Sequence, residues 1–221
     1  MVKVRVWDLP TRLFHWLLAL CVIGLLITGN VGGNAMVWHF RLGQAVLTLL
    51  LFRLLWGLVG GYWSRWSQLP LRPSRLWTYW RGQGHPDDSV GHNPLGAWSV
   101  FAMLAWLLLQ VCTGLMSDDD IAFAGPLTTL VSSATVSAAT AWHKGWGKLV
   151  LLALVALHLL AILVYCLRRR PPLLPAMVHG DKWLDSTAPA SVDDGKRRGL
   201  ALLVLALSVV LVQWLMTLGN V

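Results

Sequence analysis

The chain has 221 residues, of which 56% are hydrophobic and only 13% charged, with a mean hydropathy of +0.60. Soluble domains carry about 25% charged residues, so a water-soluble fold is excluded. The net charge of +8 does not point to nucleic acid, because the basic residues are confined to alternate segments between apolar stretches.

A helix crosses the hydrocarbon core with roughly 20 apolar residues. Five spans are predicted, over about 13–33, 37–61, 95–117, 142–167 and 199–219. Together they read as one all-α integral membrane domain over 1–221: a four-helix bundle plus a fifth transmembrane helix. Lys3, Arg5 and Arg12 precede the first span. Arg65, Arg72, Arg75 and Arg81 follow the second. Arg168, Arg169, Arg170, Lys182, Lys196, Arg197 and Arg198 lie between the fourth and fifth. On the opposite side only Arg41, Lys144 and Lys148 occur, within span ends. This positive-inside bias puts the N-terminus in the cytoplasm and the C-terminus outside, and the basic loops suit anionic membrane lipid.

The first span starts after Pro10-Thr11 and ends at Thr28-Gly-Asn30. It has no A-x-A cleavage site before the polar turn and is read as retained rather than as a signal peptide. A Gly-rich turn leads into the second span, which runs to Gly60-Gly61. Between Tyr62 and Gly84, Trp63, Trp66, Trp77 and Trp80 interleave with Arg65, Arg72, Arg75 and Arg81. That mixture belongs at headgroup level, and Pro73 onward predicts a short amphipathic helix on the inner surface. His85-Pro-Asp-Asp88 reads as a polar loop, and Pro94 opens the third span, where its missing N–H costs nothing. The outer loop Ser117–Ala141 holds Asp118, Asp119 and Asp120, then a Ser/Ala/Thr-rich tract that predicts a weak surface or re-entrant helix. The fourth span stops at Arg168-Arg-Arg-Pro-Pro172, and Leu173–Arg198, rich in Pro, Ser and Asp, reads as an inner linker. The fifth span carries no His and no charge, which suits packing or partner contact. Cys21, Cys112 and Cys166 fall inside spans and read as small buried apolar residues. There is no CxxCH, so covalent haem attachment is excluded.

Four of the seven histidines lie within spans, where an ionisable group marks a functional site. His15 is near the inner end of the first span and His39 near the outer start of the second. His143 and His158, at the two ends of the fourth, are separated by about 22 Å along a helix axis and by about 60° around it. Chain direction therefore matches His15 with His158 at the inner level and His39 with His143 at the outer level. Zinc would want four ligands clustered in one place; two pairs at two depths suit two haem irons, each held by two imidazoles. With both axial positions filled, such an iron only changes oxidation state. Arg53, a charge well inside a span, must be paired, and a haem propionate is a suitable anion. Arg41 and Lys144 flank the outer ligands and are candidates for the other propionates. His85, His92 and His179 fall in inner loops and read as solvated, although His92 is also a candidate contact for a quinone or propionate.

Trp7-Asp-Leu-Pro-Thr-Arg-Leu-Phe-His-Trp16 resembles the opening of the bacterial di-haem cytochrome b family, which includes the cytochrome b subunit of nickel–iron hydrogenases. Trp38-His-Phe-Arg-Leu-Gly43, Phe52-Arg-Leu-Leu-Trp-Gly57, Gly91-His-Asn-Pro-Leu-Gly96 and the His143/His158 pair resemble its further signatures, in order along nearly the whole chain. The resemblance implies four core helices binding two non-covalent haem b groups through His15, His39, His143 and His158. It also implies electron exchange between the quinone/quinol pool of the bacterial inner membrane and a periplasmic redox protein, such as a multihaem c-type cytochrome or a hydrogenase. Where many relatives have an acidic residue near the third ligand, this chain reads Ala-Trp-His-Lys-Gly-Trp146 and contains no Glu. Two other functions compete: a self-sufficient superoxide:quinone oxidoreductase, and a haem-bearing membrane anchor. Asp118–Asp120 favours a basic protein partner over superoxide, an anion that it would repel.

Overall fold

In the computed structural model, residues 1–167 and 173–219 are described, so the basic run Arg168–Arg170 read above as an inner stop lies outside the described residues. In chain order the elements are β1 (Val2–Arg5), α1 (Leu9–Val31), α2 (Met36–Val59), α3 (Pro73–Trp80), α4 (Pro94–Leu115), α5 (Ser133–Trp142), a π-turn (His143–Gly147), α6 (Lys148–Leu167), α7 (Leu173–His179), β2 (Asp181–Leu184) and α8 (Gly195–Thr217). Among the described residues five helices are long and apolar enough to cross a membrane.

Side-chain caps set the boundaries that apolar composition only approximates. Asp8 Oδ1 accepts from the Thr11 backbone N–H at 2.9 Å and starts α1 four residues before the predicted span. Asn93 and Asp194 cap α4 and α8 in the same way, accepting from Gly96 N at 2.7 Å and Arg197 N at 2.8 Å. Each satisfies an N–H that the first helical turn leaves without a partner. Ser132 caps α5, and this changes the fourth span. The Ser/Ala/Thr tract is the helix α5, which meets α6 across a kink at the π-turn, so the helical stretch Ser133–Leu167 begins ahead of the predicted fourth span and contains it. Gly145 departs from helical geometry inside the π-turn (φ −97°, ψ −111°), so the uniform 100° step does not hold through this stretch. The amphipathic helix expected after Pro73 is α3, with Trp77 and Trp80 exposed.

The described residues form two compact units, each drawing on several spans. The first comprises Met1–His15, Arg53–Ala102 and Val155–Val204; the second comprises Trp16–Phe52, Met103–Leu154 and Leu205–Val221.

In the first unit the segment read as a linker is folded. β2 pairs antiparallel with β1, Val2 opposite Leu184 and Arg5 opposite Asp181. Val4, Val6, Trp7, Trp63, Val90, Ala176 and Leu184 form a small buried core around this ribbon. Gly180, at φ +89°, turns α7 into β2, and its carbonyl accepts from Val6 N and Trp7 N at 2.8 and 3.0 Å. A Cβ there would lie 2.5 Å from the Trp7 carbonyl oxygen, so only glycine fits. Ser191 Oγ donates to the Val6 carbonyl at 2.7 Å, and Trp63 Nε1 to the Pro189 carbonyl at 2.8 Å. Lys182, counted above among the inner basic residues, is buried, and its ammonium donates to the carbonyls of Ser89 and Val90.

Candidate functional site

In the first unit α1 and α6 bring His15 and His158 together with ring centres 6.4 Å apart. In the second, α2 and the π-turn bring His39 and His143 together at 6.2 Å, their planes nearly perpendicular at 86°. A first-row metal binds imidazole nitrogen at about 2.0 Å and the ring centre lies about 1.1 Å behind it, so two rings that bind one ion from opposite sides stand about 6.2 Å apart. Both pairs fit that spacing. Among the described residues no three His, Cys, Asp or Glu side chains converge. Side chains of the described residues therefore offer two ligands at either pair, a donor set that a haem accepts.

In the second unit the ring nitrogens are also assigned. His143 Nδ1 lies 2.8 Å from the Gln110 carbonyl, and His39 Nδ1 lies 3.1 Å from the Leu25 carbonyl and 3.2 Å from Thr28 Oγ1. A carbonyl only accepts, so Nδ1 carries the proton and Nε2 keeps its lone pair for a metal. Glycine makes room for both rings. A Cβ on Gly29 would come within 3.0 Å of His39 Cε1, and one on Gly114 within 2.8 Å of His143 Cε1.

The sequence reading passed over Gln110, although an amide inside an uncharged span is itself a signal. Its Nε2 donates to the His143 carbonyl at 2.8 Å, and Trp106, one turn earlier on α4, donates from Nε1 to the Gly147 carbonyl at 2.9 Å.

Arg53 is 4% exposed, too enclosed to reach water. Its guanidinium carbon stands 4.3 Å from the centre of the Trp66 ring. Nη1 is buried with no hydrogen-bond partner among the described residues, so it remains available to an anion. Asp8, fully buried and also missed in the sequence, lies close enough to act on Arg53 electrostatically but makes no hydrogen bond with it among the described residues. Its carboxylate accepts from Gly61 N at 2.7 Å, Ser64 Oγ at 3.2 Å and Trp56 Nε1 at 3.2 Å, besides Thr11 N. These bonds tie the start of α1 to the end of α2.

His92 is not a solvated loop residue. Its ring packs 4.7 Å from Trp7, and Nδ1 is closed to solvent without a hydrogen-bond partner among the described residues. Burial, with the charges of Arg53 and Lys182 next in effect, pushes its pKa down to about 3. An unfolded chain takes a proton at residue 92 near pH 6.5, and the folded chain does not until about pH 3. Stability therefore falls as pH drops through that window, since the unfolded state binds more protons there. Thermal midpoints of detergent-solubilised protein at pH 7 and pH 5 measure this, and His92→Gln flattens the dependence. Equal slopes in both proteins would exclude His92 as the source. His85, by contrast, is exposed beside Asp87, and His179 is exposed.

Arg41 is exposed, with its guanidinium carbon 5.0 Å from the centre of the Trp38 ring. Lys144 is exposed and donates to the Asp118 backbone carbonyl at 3.3 Å, which places a base beside the Asp run. Asp119 does more than carry charge. Its Oδ1 accepts from the backbone N–H groups of Ile121, Ala122 and Phe123 at 2.9–3.0 Å, which holds its pKa below the usual carboxylate value. Asp120 follows at φ +57°.

The model of the family described as prokaryotic cytochrome b561 matches residues 6–180. The chain belongs to the prokaryotic cytochrome b561 family. It is thus a b-type cytochrome of membrane electron transfer, a multi-pass protein of the bacterial inner membrane whose cofactor is haem b. The chain is 27% identical over 141 residues to the probable Ni/Fe-hydrogenase 1 B-type cytochrome subunit of Escherichia coli (strain K12), covering 51% of this chain and 59% of that protein. It is 29% identical over 139 residues to the probable Ni/Fe-hydrogenase B-type cytochrome subunit of Rhizobium leguminosarum bv. viciae, covering 51% and 58%. With the subunit of the same name in Bradyrhizobium diazoefficiens it shares 24% identity over 215 residues, covering 81% and 85%. The match therefore spans little more than half the length of the first two relatives. No solved structure matches the chain.

Proposed function

We propose that this cytochrome carries electrons across the membrane through two haem b groups, one held by His15 and His158 and the other by His39 and His143. It would exchange them between the quinone/quinol pool and a periplasmic redox protein, a hydrogenase or a multihaem c-type cytochrome. The observation that carries the reading is the ring spacing, 6.4 and 6.2 Å, which two ligands of one iron require. Haem held in this way would supply one-electron exchange. The chain supplies imidazoles that glycine lets close in, backbone carbonyls that fix the outer rings, and cations for propionates. Arg53 serves the inner haem, and Arg41 and Lys144 the outer. Purified protein carries two acid-extractable haems per chain, with a low-spin spectrum that carbon monoxide does not change and rapid reduction by a quinol. One haem per chain, or rapid carbon monoxide binding, would defeat the paired-histidine model.

Asp118, Asp119 and Asp120 steer a basic partner to the outer face on this reading. Charge at a rim acts mainly on encounter rate, and salt screens it over a Debye length of about 8 Å at physiological ionic strength. Changing all three to Asn slows electron exchange with that partner at low salt and leaves it unchanged at high salt. Asn retains an acceptor oxygen for the Ile121–Phe123 turn, so the loop survives. Wild-type rates at low ionic strength would mean that the run only keeps the loop solvated.

A further inference from the structure

The third span contributes no histidine, yet one face of α4 is organised around His143. Trp106, Gln110, Thr113 and Gly114 recur at helical spacing on that face. Trp106 Nε1 donates to the carbonyl at one end of the π-turn, Gly147, and Gln110 Nε2 to the carbonyl at the other, His143. A π-turn misaligns the carbonyls of the ordinary ladder, and these two donors occupy both of its ends. The Gln110 backbone carbonyl takes the proton of His143 Nδ1 at 2.8 Å, so one residue grips the imidazole and its own main chain together. The amide orientation follows from this: Nε2 faces the His143 carbonyl, while Oε1 is buried without a partner among the described residues. A flipped amide would set oxygen against oxygen.

We infer that Gln110 is the positioning residue for His143 and, with Trp106 as its companion, holds the reduction potential of the outer haem low. The inference rests on the reading of His39 and His143 as that haem's ligands. An imidazole whose Nδ1–H is held by a carbonyl is a stronger donor through Nε2 and favours the oxidised iron. Loosening the π-turn lengthens that hydrogen bond, weakens the donor and raises the potential.

The test is a spectroscopic redox titration of the full chain in detergent, with haem content measured on the same samples and EPR of the oxidised form. Gln110→Leu keeps the volume and removes the N–H donor. Trp106→Phe removes the donor at the other end and keeps the ring. Gln110→His restores an N–H and serves as the rescue. The expected result for Gln110→Leu is two haems retained and an outer-haem equilibrium shifted about tenfold toward reduction, equal to 59 mV for one electron. The inner haem is unmoved, the low-spin EPR line of the outer haem shifts, Trp106→Phe moves in the same direction, and Gln110→His returns toward wild type. Two haems with unchanged potentials and EPR in Gln110→Leu would overturn the inference. If Gln110→Leu loses the outer haem, Trp106→Phe decides it, and a wild-type outer potential there overturns it equally. Failure of the underlying reading looks different: the wild type itself would carry fewer than two haems.

Discussion

His15→Ala and His158→Ala each remove the same haem, and His39→Ala and His143→Ala each remove the other. A non-covalent haem held by two imidazoles would depend on both, and deleting either would leave the other ring as the one protein ligand of its pair. The paired rings stand 6.4 and 6.2 Å apart, so neither partner has a substitute at hand. Each variant should keep about half the haem absorbance. Redox titration identifies the survivor, because the two members of a pair must leave the same potential behind. Gly114→Ala belongs with the outer set. Its Cβ would stand 2.8 Å from His143 Cε1 and 3.2 Å from Nδ1, a distance that ring and helix cannot both keep. If His15→Ala instead matches His143→Ala, the assignment of partners is wrong.

The existence of the spans was legible because apolar length decides it, and five helices long and apolar enough to cross a membrane are present among the described residues. Their ends were less legible, because caps such as Asp8 and Ser132 set them and a polar tract adjoining a span resembles a loop. The π-turn contains the non-helical Gly145 and accepts from donors on α4, more than 30 residues earlier in the chain, and no local pattern announces that. Histidine depth and chain direction named the partners His15/His158 and His39/His143 from order alone. The β1–β2 ribbon escaped because each strand is four residues long and its paired residues Arg5 and Asp181 stand 176 positions apart in the chain. Alternation in Val2-Lys-Val-Arg5 was its only trace. His92 was misread for a related reason: flanking Gly, Asn and Pro mark a loop, but a loop beneath a folded cap is sheltered.

Arg53→Leu lowers the potential of the inner haem, and this is the larger test of how the chain accommodates a propionate. The guanidinium is 4% exposed, stacked on Trp66, and has an Nη1 without a hydrogen-bond partner among the described residues. Its nearest buried carboxylate, Asp8, spends its lone pairs on Thr11, Gly61, Ser64 and Trp56. A cation in that state is costly unless a second anion reaches it. A positive charge also favours the more negative, reduced form of a nearby haem. For a separation of about 10 Å and an effective dielectric constant of about 20, the interaction is about 1.7 kcal/mol, on the order of 70 mV for one electron. Arg53→Lys keeps the charge and should keep most of the potential while losing the planar stack on Trp66. Arg53→Leu also leaves a propionate buried without its cation, and breaking a buried pair costs roughly 3–5 kcal/mol, so weakened retention of the inner haem accompanies the shift. The measurement is a redox titration of both variants beside haem content after a detergent wash. A leucine variant with both potentials and both haems intact would show that Arg53 serves only its contact with Trp66 and the charge balance with Asp8.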